Sequence, residues 1–585
     1  MIIQPKFYKN NQPLNEYPRP QLKRDSYYCL NGEWEYAIFQ GNGLKAGYRS
    51  LPEQFDGTIV VPYSPESPLS KVNRQLKADE TLCYRKKFRL PGGFHRGRLL
   101  LHFGAVDQVC KVYLNSGKVG SHEGGYTPFT FDITKFYREN RENELVVLVT
   151  DDAESEKYGR GKQSYHNGGI WYQAVSGIWQ TVWIESVPFN YLEDITLTPD
   201  YENHTLKIST RSHEGDKQVM TVKVLDGDFP LASYHLWSDM DEEISVPFCK
   251  PWSPDSPELY NLSITMGEDR VTMYFAMRSF SVVQKKYKLF ALNGEPFYMN
   301  GLLDQGYYGE GVYTPESYYK MYERLWQVKS LGFNMLRKHA KVEPLLYYYY
   351  CDILGIVVWQ DMVNGGAPYE KLWIYLGPFI KLNLSDKNYK ARKRGSASSR
   401  EQFLVETEET MDALYNQPCV ALWTPFNECW GQFDTLLVGR AVKNADPTRW
   451  VDQASGWCDK GGGDVDSRHV YFRKLNLKND RKRVLALTEF GGYSVRKEGE
   501  KKFGYAYVDD YKALNEAYER LYLDQVIPAL KEGLCASVYT QLNDVEEETN
   551  GIFTSDGRFK LDEEDVIKVN ARLFAACDRL WTEKS

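Results

Sequence analysis

The spacing of hydrophobic positions changes character twice along the chain. From residue 1 to 186, apolar residues come in short runs broken by turn formers: Glu33–Tyr36, Leu99–His102, Val109–Tyr113, Leu145–Val149 and Trp179–Ile184. Such punctuation predicts strands, with Asn31-Gly32 and Asn115-Ser-Gly117 as hairpin-type turns. The block fits a jelly-roll β-sandwich. Residues 187–283 continue with Thr205–Ser209, Val219–Val224, Tyr260–Ile264 and Val271–Tyr274, a pattern that suits an immunoglobulin-like β-sandwich with a spacing role.

From residue 284 strands alternate with helical periodicity. Thr314–Leu331 predicts a helix, with Pro315 and Glu316 in its first turn and Tyr319, Tyr322 and Trp326 on one face. Further helices are predicted through Leu345 and from Arg400 to Asn416. The strand candidates are Pro296–Asn300, Asn334–Arg337, Gly355–Gln360, Val420–Trp423, Trp450–Gln453, His469–Tyr471, Val484–Leu487 and Ala536–Tyr539. Eight strands over residues 284–585 predict a (β/α)8 TIM barrel. Two stretches break the pattern. Tyr158–Gln173, YGRGKQSYHNGGIWYQ, is long, Gly-rich and polar-aromatic, and is read as a functional arm. Gly366–Ser399, basic near Lys390–Arg394, is read as an exposed insertion after the third strand, a lid or an oligomer contact.

The chemistry-bearing stretches sit at strand ends. Val420–Trp423 reads as a strand buried on both faces, stopped by Pro425 and followed at once by Asn427, Glu428 and Trp430. Val484–Leu487 has the same grammar, followed by Thr488, Glu489 and the pair Gly491-Gly492. Carboxylates delivered beyond two parallel strands stand where α/β barrels place their chemistry, and a pair of them suits glycoside hydrolysis.

Composition narrows the class. A chain of 585 residues exceeds a single core, and 42% hydrophobic with 26% charged residues is ordinary for soluble protein. A net charge of −7 argues against a dedicated nucleic-acid surface, and no segment approaches the roughly 20 apolar residues of a membrane span. Neither nucleic acid nor membrane is therefore expected as a partner. The N-terminus, MIIQPKFYKNNQPLNEYPRP, lacks an apolar signal core. The ten cysteines show no CxxC pair or zinc spacing, and most, such as Cys110, Cys419 and Cys535, have apolar neighbours. They are read as buried free thiols in a cytoplasmic protein without metal or cofactor. Aromatic residues at 14%, including 43 Tyr and 14 Trp, suit sandwich cores and rings stacked on sugar faces.

The motifs together resemble glycoside hydrolase family 2, the group of β-galactosidases, β-glucuronidases and β-mannosidases. Leu30-Asn-Gly-Glu-Trp34 resembles the first-domain signature, and Ser176-Gly-Ile-Trp-Gln180 the motif that closes that domain. Trp252–Tyr260 and Phe275–Arg278 resemble the end of the sandwich domain, while Asn427-Glu428 and Thr488-Glu489 match the acid/base and nucleophile motifs. The resemblance implies a retaining mechanism, with Glu428 as general acid and then base, Glu489 as nucleophile, and Asn427 on the sugar 2-hydroxyl. It places His339 at the border of the sugar site and Tyr471 on the nucleophile. Asp304, Asp361 and Asp544 follow barrel strands, where they either grip hydroxyls or cap helices. Trp359 and Trp430 are either pocket floor or core. The uronate-gripping Asn-x-Lys of the family's glucuronidases is not in place, since Asn476-Leu-Lys478 precedes Glu489. Val358–Asp361 also lacks the Asp-Glu of well-known β-galactosidases. The expectation is a β-galactosidase-like exo-glycosidase acting on a glycoside or oligosaccharide, in a chain that can form a homo-oligomer. The alternatives are a glucuronidase, mannosidase or α-L-arabinosidase, a transglycosylase, and a non-catalytic carbohydrate-binding protein on the same scaffold.

Overall fold

The structure, a computed structural model, describes residues 12–369, 385–496 and 503–582. Residues 370–384 of the predicted insertion lie outside that range.

The first block packs a six-stranded antiparallel sheet on a four-stranded one. At the centre of the larger sheet, Asn143–Thr150 pairs with both Glu80–Phe88 and Val109–Leu114. Inward residues of the two sheets, among them Trp34, Tyr84, Leu101, Phe103, Val147 and Ile184, form one core. Asn115-Ser116 makes the expected two-residue hairpin turn, both residues at positive φ, with Leu114 paired to Gly117. Asn31-Gly32 is no hairpin. Asn31 is 2% exposed; its Nδ2 donates to the Pro13 and Leu14 carbonyls and its Oδ1 accepts from Val182 N. It ties the chain down where it crosses between sheets.

The second block opposes a three-stranded and a four-stranded antiparallel sheet. Strand Tyr260–Met266 alternates strictly, with Tyr260, Leu262, Ile264 and Met266 inward, the signature of a sheet with one wet face. A three-stranded ribbon, Phe280–Gln284, Lys288–Leu292 and Glu295–Pro296, leads into the third block.

That block is an eight-stranded all-parallel barrel: β1 Met299–Asp304, β2 Met335–Lys338, β3 Val357–Asp361, β4 Val420–Thr424, β5 Trp450–Val451, β6 Val465–Val470, β7 Val484–Gly491 and β8 Leu534–Thr540. Between β5 and β6 the ring is closed by Asp464 N on Val451 O at 2.8 Å and Val451 N on Asp464 Oδ2 at 2.9 Å. Helices follow β1, β2, β3, β4, β7 and β8; among the described residues none follows β5 or β6. The helix after β1 is Tyr318–Ser330, not Thr314–Leu331. Ser317 caps it by accepting from Lys320 N at 3.2 Å, so Pro315 and Glu316 lie ahead of the first turn.

The barrel's core cluster continues into the first block through Tyr126, Tyr172 and Trp179, which meet Tyr307 and Tyr313. The Tyr158–Gln173 arm is thereby laid over the C-terminal face of the barrel. Its backbone pairs with the loop after β3: Arg160 N and Gly161 N both donate to Asn364 O, at 3.1 and 2.8 Å. The approach requires glycines. A Cβ on Gly159 would stand 2.6 Å from Val363 O, and one on Gly365 2.4 Å from Tyr158 O. The basic stretch of the insertion is exposed at Lys390 but not at its two arginines. Arg394 is fully buried, donating to Asn364 Oδ1 at 2.6 Å and Ser399 Oγ at 2.9 Å, and Arg392 is 3% exposed.

Candidate active site

The site is assembled from the C-terminal ends of β2, β3, β4, β6 and β7. β4 stops at Thr424 before Pro425, and the chain swings so that Glu428 N donates to Ser455 O at 2.9 Å. Glu428 and Cys429 both take left-handed φ, 49° and 70°, which turns the Glu428 carboxylate over the barrel mouth. Cys429 is joined to Cys458 as a disulfide with a Cα–Cα distance of 5.4 Å. These two cysteines correct the free-thiol reading; the other eight are free. On β7, Thr488 and Glu489 oppose the single residue Val538 of β8, because the register jumps from Leu487↔Ser537 to Phe490↔Tyr539. That bulge aims Glu489 inward. Gly491 and Gly492 both lie at positive φ and turn the chain away after it.

The two carboxylates face one another across His469. One ligand atom each from Glu428, His469 and Glu489 lies within 4.8 Å of the others. His469 Nδ1 is 2.7 Å from Glu428 Oε1 and 3.4 Å from Glu489 Oε2, and its Nε2 is 2.9 Å from Ser455 Oγ. The trio has ligand types that suit a divalent cation. Arg337, however, already stands 3.0 Å from Glu489 Oε1 and 3.4 Å from His469 Nε2, occupying the place of positive charge.

Arg337 is the hub. Fully buried on β2, it also donates to Asp361 at 3.1 Å, Asn427 Oδ1 at 2.9 Å and Thr488 O at 3.1 Å. His339, two residues on and on the same face, holds Asp361 Oδ2 through Nδ1 at 2.6 Å. Tyr471 donates to Glu489 Oε2 at 2.7 Å and shares a hydrogen bond with Thr540 at 2.8 Å. Burial pushes the Glu489 carboxyl up, but His469, Arg337, His339 and the Tyr471 hydroxyl outweigh it and leave it below the ordinary glutamate range. Burial lowers His339 despite the pull of Asp361 in the other direction. Burial and the charge of Glu489 raise Tyr471 well above the usual phenol, keeping it a donor.

Beside this centre lies a small cavity lined by His339, Asp361, Asn427 and Trp430 from the barrel and by Arg160, Lys162 and Trp171 from the arm. Trp171 and Trp430 meet at 4.6 Å, and Tyr369 meets Trp430 at 5.0 Å. Of the residues singled out from sequence, Glu428, Glu489, Asn427, His339, Asp361, Tyr471 and Trp430 come together here. Three do not. Asp304 registers with Lys338, on the opposite face of β2 from Arg337, and is committed to Lys338 Nζ at 2.7 Å and Tyr347 at 2.9 Å. Trp359 is fully buried against Phe290 with Nε1 on Met299 Sδ; it plugs the barrel and forms no pocket floor. Asp544 pairs with Lys560 at 2.7 Å and takes Gly551 N at 2.9 Å, away from the cavity.

Sequence reading missed Arg337, His469, Arg160, Lys162 and Trp171 as site residues. Period-two alternation carried the first two, since Arg337 and His469 stand two residues before His339 and Tyr471. His166, in the arm, is exposed and takes no part.

Two β-sandwiches stand ahead of a parallel barrel, and the facing carboxylates at the ends of β4 and β7 form an arrangement suited to glycoside hydrolysis. Comparison with known proteins shows what the chain is similar to. Residues 28–188 match the model for "Glycosyl hydrolases family 2, sugar binding domain". A β-galactosidase of Thermoanaerobacter pseudethanolicus is 24% identical over 356 residues, 58% of this chain and 44% of that one. A family 2 β-galacturonidase from Eisenbergiella tayi, solved with galacturonate bound, superposes with a TM-score of 0.71 at 18% identity, covering 95% of this chain and 99% of that one. A β-glucuronidase from an uncultured Clostridium superposes at 0.73 with 18% identity and covers 95% and 99%. The first block thus matches the sugar-binding domain of glycosyl hydrolases family 2, and the chain as a whole has the fold of the superposed structures. It spans less than half the length of the first curated relatives it matches, 44%, 45% and 40%.

Proposed function

We propose that the protein is a retaining exo-β-glycosidase that cleaves a terminal β-linked sugar through a covalent glycosyl-enzyme. The observation that carries this is the carboxylate pair: Glu428 and Glu489 approach with ligand atoms within 4.8 Å, near the roughly 5–5.5 Å of retaining enzymes and short of the space an inverting enzyme leaves for water. Glu489, ionised under Arg337, attacks the anomeric carbon while Glu428 gives its proton to the leaving oxygen. Glu428 then takes a proton from water as that water displaces Glu489, and the sugar leaves with its configuration retained. Asn427, held by Arg337, turns its amide to the 2-hydroxyl. The arm's Trp171 against Trp430 and Tyr369 closes one side of the cavity, which favours taking the end of a glycan over its middle.

Galactose is the default sugar from the names of curated relatives, and the uronidase names of structural neighbours set a second reading beside it. A binding protein without chemistry is disfavoured because both carboxylates are present and Glu489 is held ionised. The test is release from nitrophenyl β-galactoside, β-glucuronide, β-galacturonide, β-mannoside, β-glucoside and α-L-arabinoside. Burst kinetics and an NMR readout of the first-formed anomer accompany it. Release with retention is expected; release with inversion, or silence together with no covalent label on Glu489, overturns the reading. Added alcohol separates hydrolysis from transglycosylation, which uses the same residues.

A further inference from the structure

The loop that carries Glu428 holds an unfavoured backbone and is joined to the next loop by a covalent bond. Glu428 and Cys429 stand consecutively at left-handed φ, 49° and 70°, a region that non-glycine residues keep only where their surroundings fix them. Two kinds of tie do so. The backbone pairs with the loop after β5: Glu428 N donates to Ser455 O at 2.9 Å, and Ser455 N donates to Phe426 O at 2.8 Å. Three residues beyond Ser455, Cys458 is bonded to Cys429 across a sequence separation of 29. The same loop serves the imidazole that holds the acid. Ser455 Oγ lies 2.9 Å from His469 Nε2, His469 Nδ1 lies 2.7 Å from Glu428 Oε1, and Trp457 meets the His469 ring edge-on at 5.8 Å. The disulfide thus starts at the residue next to Glu428 and ends in the loop that orients its histidine.

The bond is also placed to be opened. Cys429 is half-buried at the barrel mouth and Cys458 is buried, so the open side of the bond is Cys429. Arg392, from the basic stretch of the insertion, donates from Nη1 to Cys458 Sγ at 3.7 Å. A guanidinium there stabilises the thiolate that leaves when Cys429 is attacked. Thiols elsewhere in the chain contrast with this pair. Burial pushes those of Cys83, Cys110 and Cys535 up to about 12, which keeps them protonated and unreactive.

We infer that the Cys429–Cys458 disulfide positions Glu428 for proton transfer, and that its reduction by a small dithiol releases the loop and weakens the acid step of the site. A thiolate of the dithiol attacks Cys429 Sγ, the S–S bond breaks, and Cys458 leaves as a thiolate beside Arg392. The second thiol of the reductant then closes on the first and frees Cys429. The dithiol ends as its own disulfide, the protein has gained two electrons, and the two protons of the dithiol pass to the two cysteines. Without a crosslink over 29 residues the loop has more conformations open to it, and the left-handed pair loses its covalent tie. Glu489 lies outside the crosslinked loops, held by Arg337 at 3.0 Å and Tyr471 at 2.7 Å, and keeps its charge. Reduction therefore acts on the proton given to the leaving group and spares the nucleophile. The role of Glu428 as acid rests on the glycosidase reading; the tie between the two loops stands on the backbone and the disulfide alone.

Two measurements on the whole protein test it, each on the oxidised form and after reduction with dithiothreitol under native conditions. Thiol counts on denatured samples report whether the pair has opened. The first measurement is kcat/KM on a dinitrophenyl glycoside and on an alkyl glycoside of the sugar that is cleaved. Reduction should lower the alkyl glycoside rate by about tenfold or more and change the dinitrophenyl rate by less than about twofold, because only the poor leaving group needs a well-placed acid. Reoxidation should restore the rate. The double variant Cys429→Ser, Cys458→Ser should behave as the reduced protein and ignore the dithiol, which sets aside the eight free thiols. The second measurement, which needs no turnover, is hydrogen exchange by mass spectrometry of the peptides carrying Glu428 and Ser455. Reduction should speed their exchange by about tenfold or more. If no glycoside is cleaved in either state while exchange quickens on reduction, the glycosidase reading falls and the redox-sensitive tie on the Glu428 loop stands. A pair that stays closed to the dithiol in the folded protein, exchange unchanged once it is open, or an equal loss on both glycosides overturns the inference.

Discussion

Replacing Tyr471 by phenylalanine removes one oxygen and one hydrogen bond from the carboxylate on which the mechanism depends. The hydroxyl sits 2.7 Å from Glu489 Oε2 and 2.8 Å from Thr540 Oγ1, and the ring lies stacked on Tyr505 at 3.7 Å, so phenylalanine keeps the packing. A hydrogen bond to a charged group in a buried place contributes about 1.5–3 kcal/mol. That bond favours the ionised form, so its loss moves the Glu489 carboxyl up, with Arg337 at 3.0 Å left to hold it down.

The sign follows from the linkage. Glu489 is depressed in the folded protein, so its contribution to stability is present above the ordinary glutamate range and is lost as pH falls through the depressed value. Tyr471→Phe raises that value, so both the acid limb of kcat/KM and the onset of acid destabilisation move up in pH. The assay is a kcat/KM–pH profile on the best nitrophenyl glycoside, with thermal melts at each pH. At neutral pH the loss should be roughly 10- to 100-fold, the transition-state share of the same bond. An acid limb that stays put, or a profile lowered by less than about twofold throughout, refutes the assignment of Tyr471 as a support of the Glu489 charge.

The remaining predictions address the other parts of the site. Glu489→Gln should nearly abolish turnover without azide rescue, whereas Glu489→Gly should be rescued by azide and yield the glycosyl azide of opposite anomeric configuration. Glu428→Ala should lose activity mainly on substrates with poor leaving groups; equal loss on good and poor ones removes Glu428 as the acid. Gly365→Ala should raise KM by roughly tenfold with the Glu489 labelling rate less affected, because its Cβ meets Tyr158 O at 2.4 Å and must lift the arm, and an unchanged KM refutes the arm's role in binding. Thiol titration of the denatured, unreduced protein should count eight of the ten cysteines, and a count of ten removes the Cys429–Cys458 bond.

The parts legible in the sequence were those written in local pattern. Strands such as Val420–Thr424, Val484–Gly491 and Leu534–Thr540 stood out as apolar runs because a parallel strand buried on both faces has few polar residues to interrupt it, whereas the first and sixth strands, Met299–Asp304 and Val465–Val470, overlap the expected Pro296–Asn300 and His469–Tyr471 by only two residues each. Glu428 and Glu489 stood out because each follows such a run at once. What pattern withheld was depth and face. Asp304 and Trp359 sit at strand ends like true site residues, but Asp304 points away from the barrel axis to meet Lys338, and Trp359 lies in the plug. The half-turn from Pro425 to Glu428 and the bulge at Thr488-Glu489 shift register locally, so counting along the strand does not tell which side chain emerges. Arg160, Lys162 and Trp171 were signalled only as a long Gly-rich arm. Their partners lie about two hundred or more residues away on β3 and β4, a separation no local pattern spans.

In the proposed mechanism the division of labour between the carboxylates follows from the buried guanidinium of Arg337. Arg337 reaches Glu489, Asp361, Asn427 and Thr488 O, and makes no hydrogen bond to Glu428. Tyr471 likewise donates to Glu489 alone of the two. Two carboxylates this close cannot both be ionised cheaply, since each charge penalises the other. The donors on one side decide which of them keeps the charge. Glu428 is left with His469 and the wetter side, its side chain 8% exposed against 5% for Glu489. That leaves Glu428 in the place of the proposed acid and base. Exchanging the two roles would require moving Arg337 to a neighbouring strand, because β2 faces β7 across the barrel mouth and its side chain already spans the distance to Glu489. The assignment of the two proposed roles thus rests on a single inward position of β2.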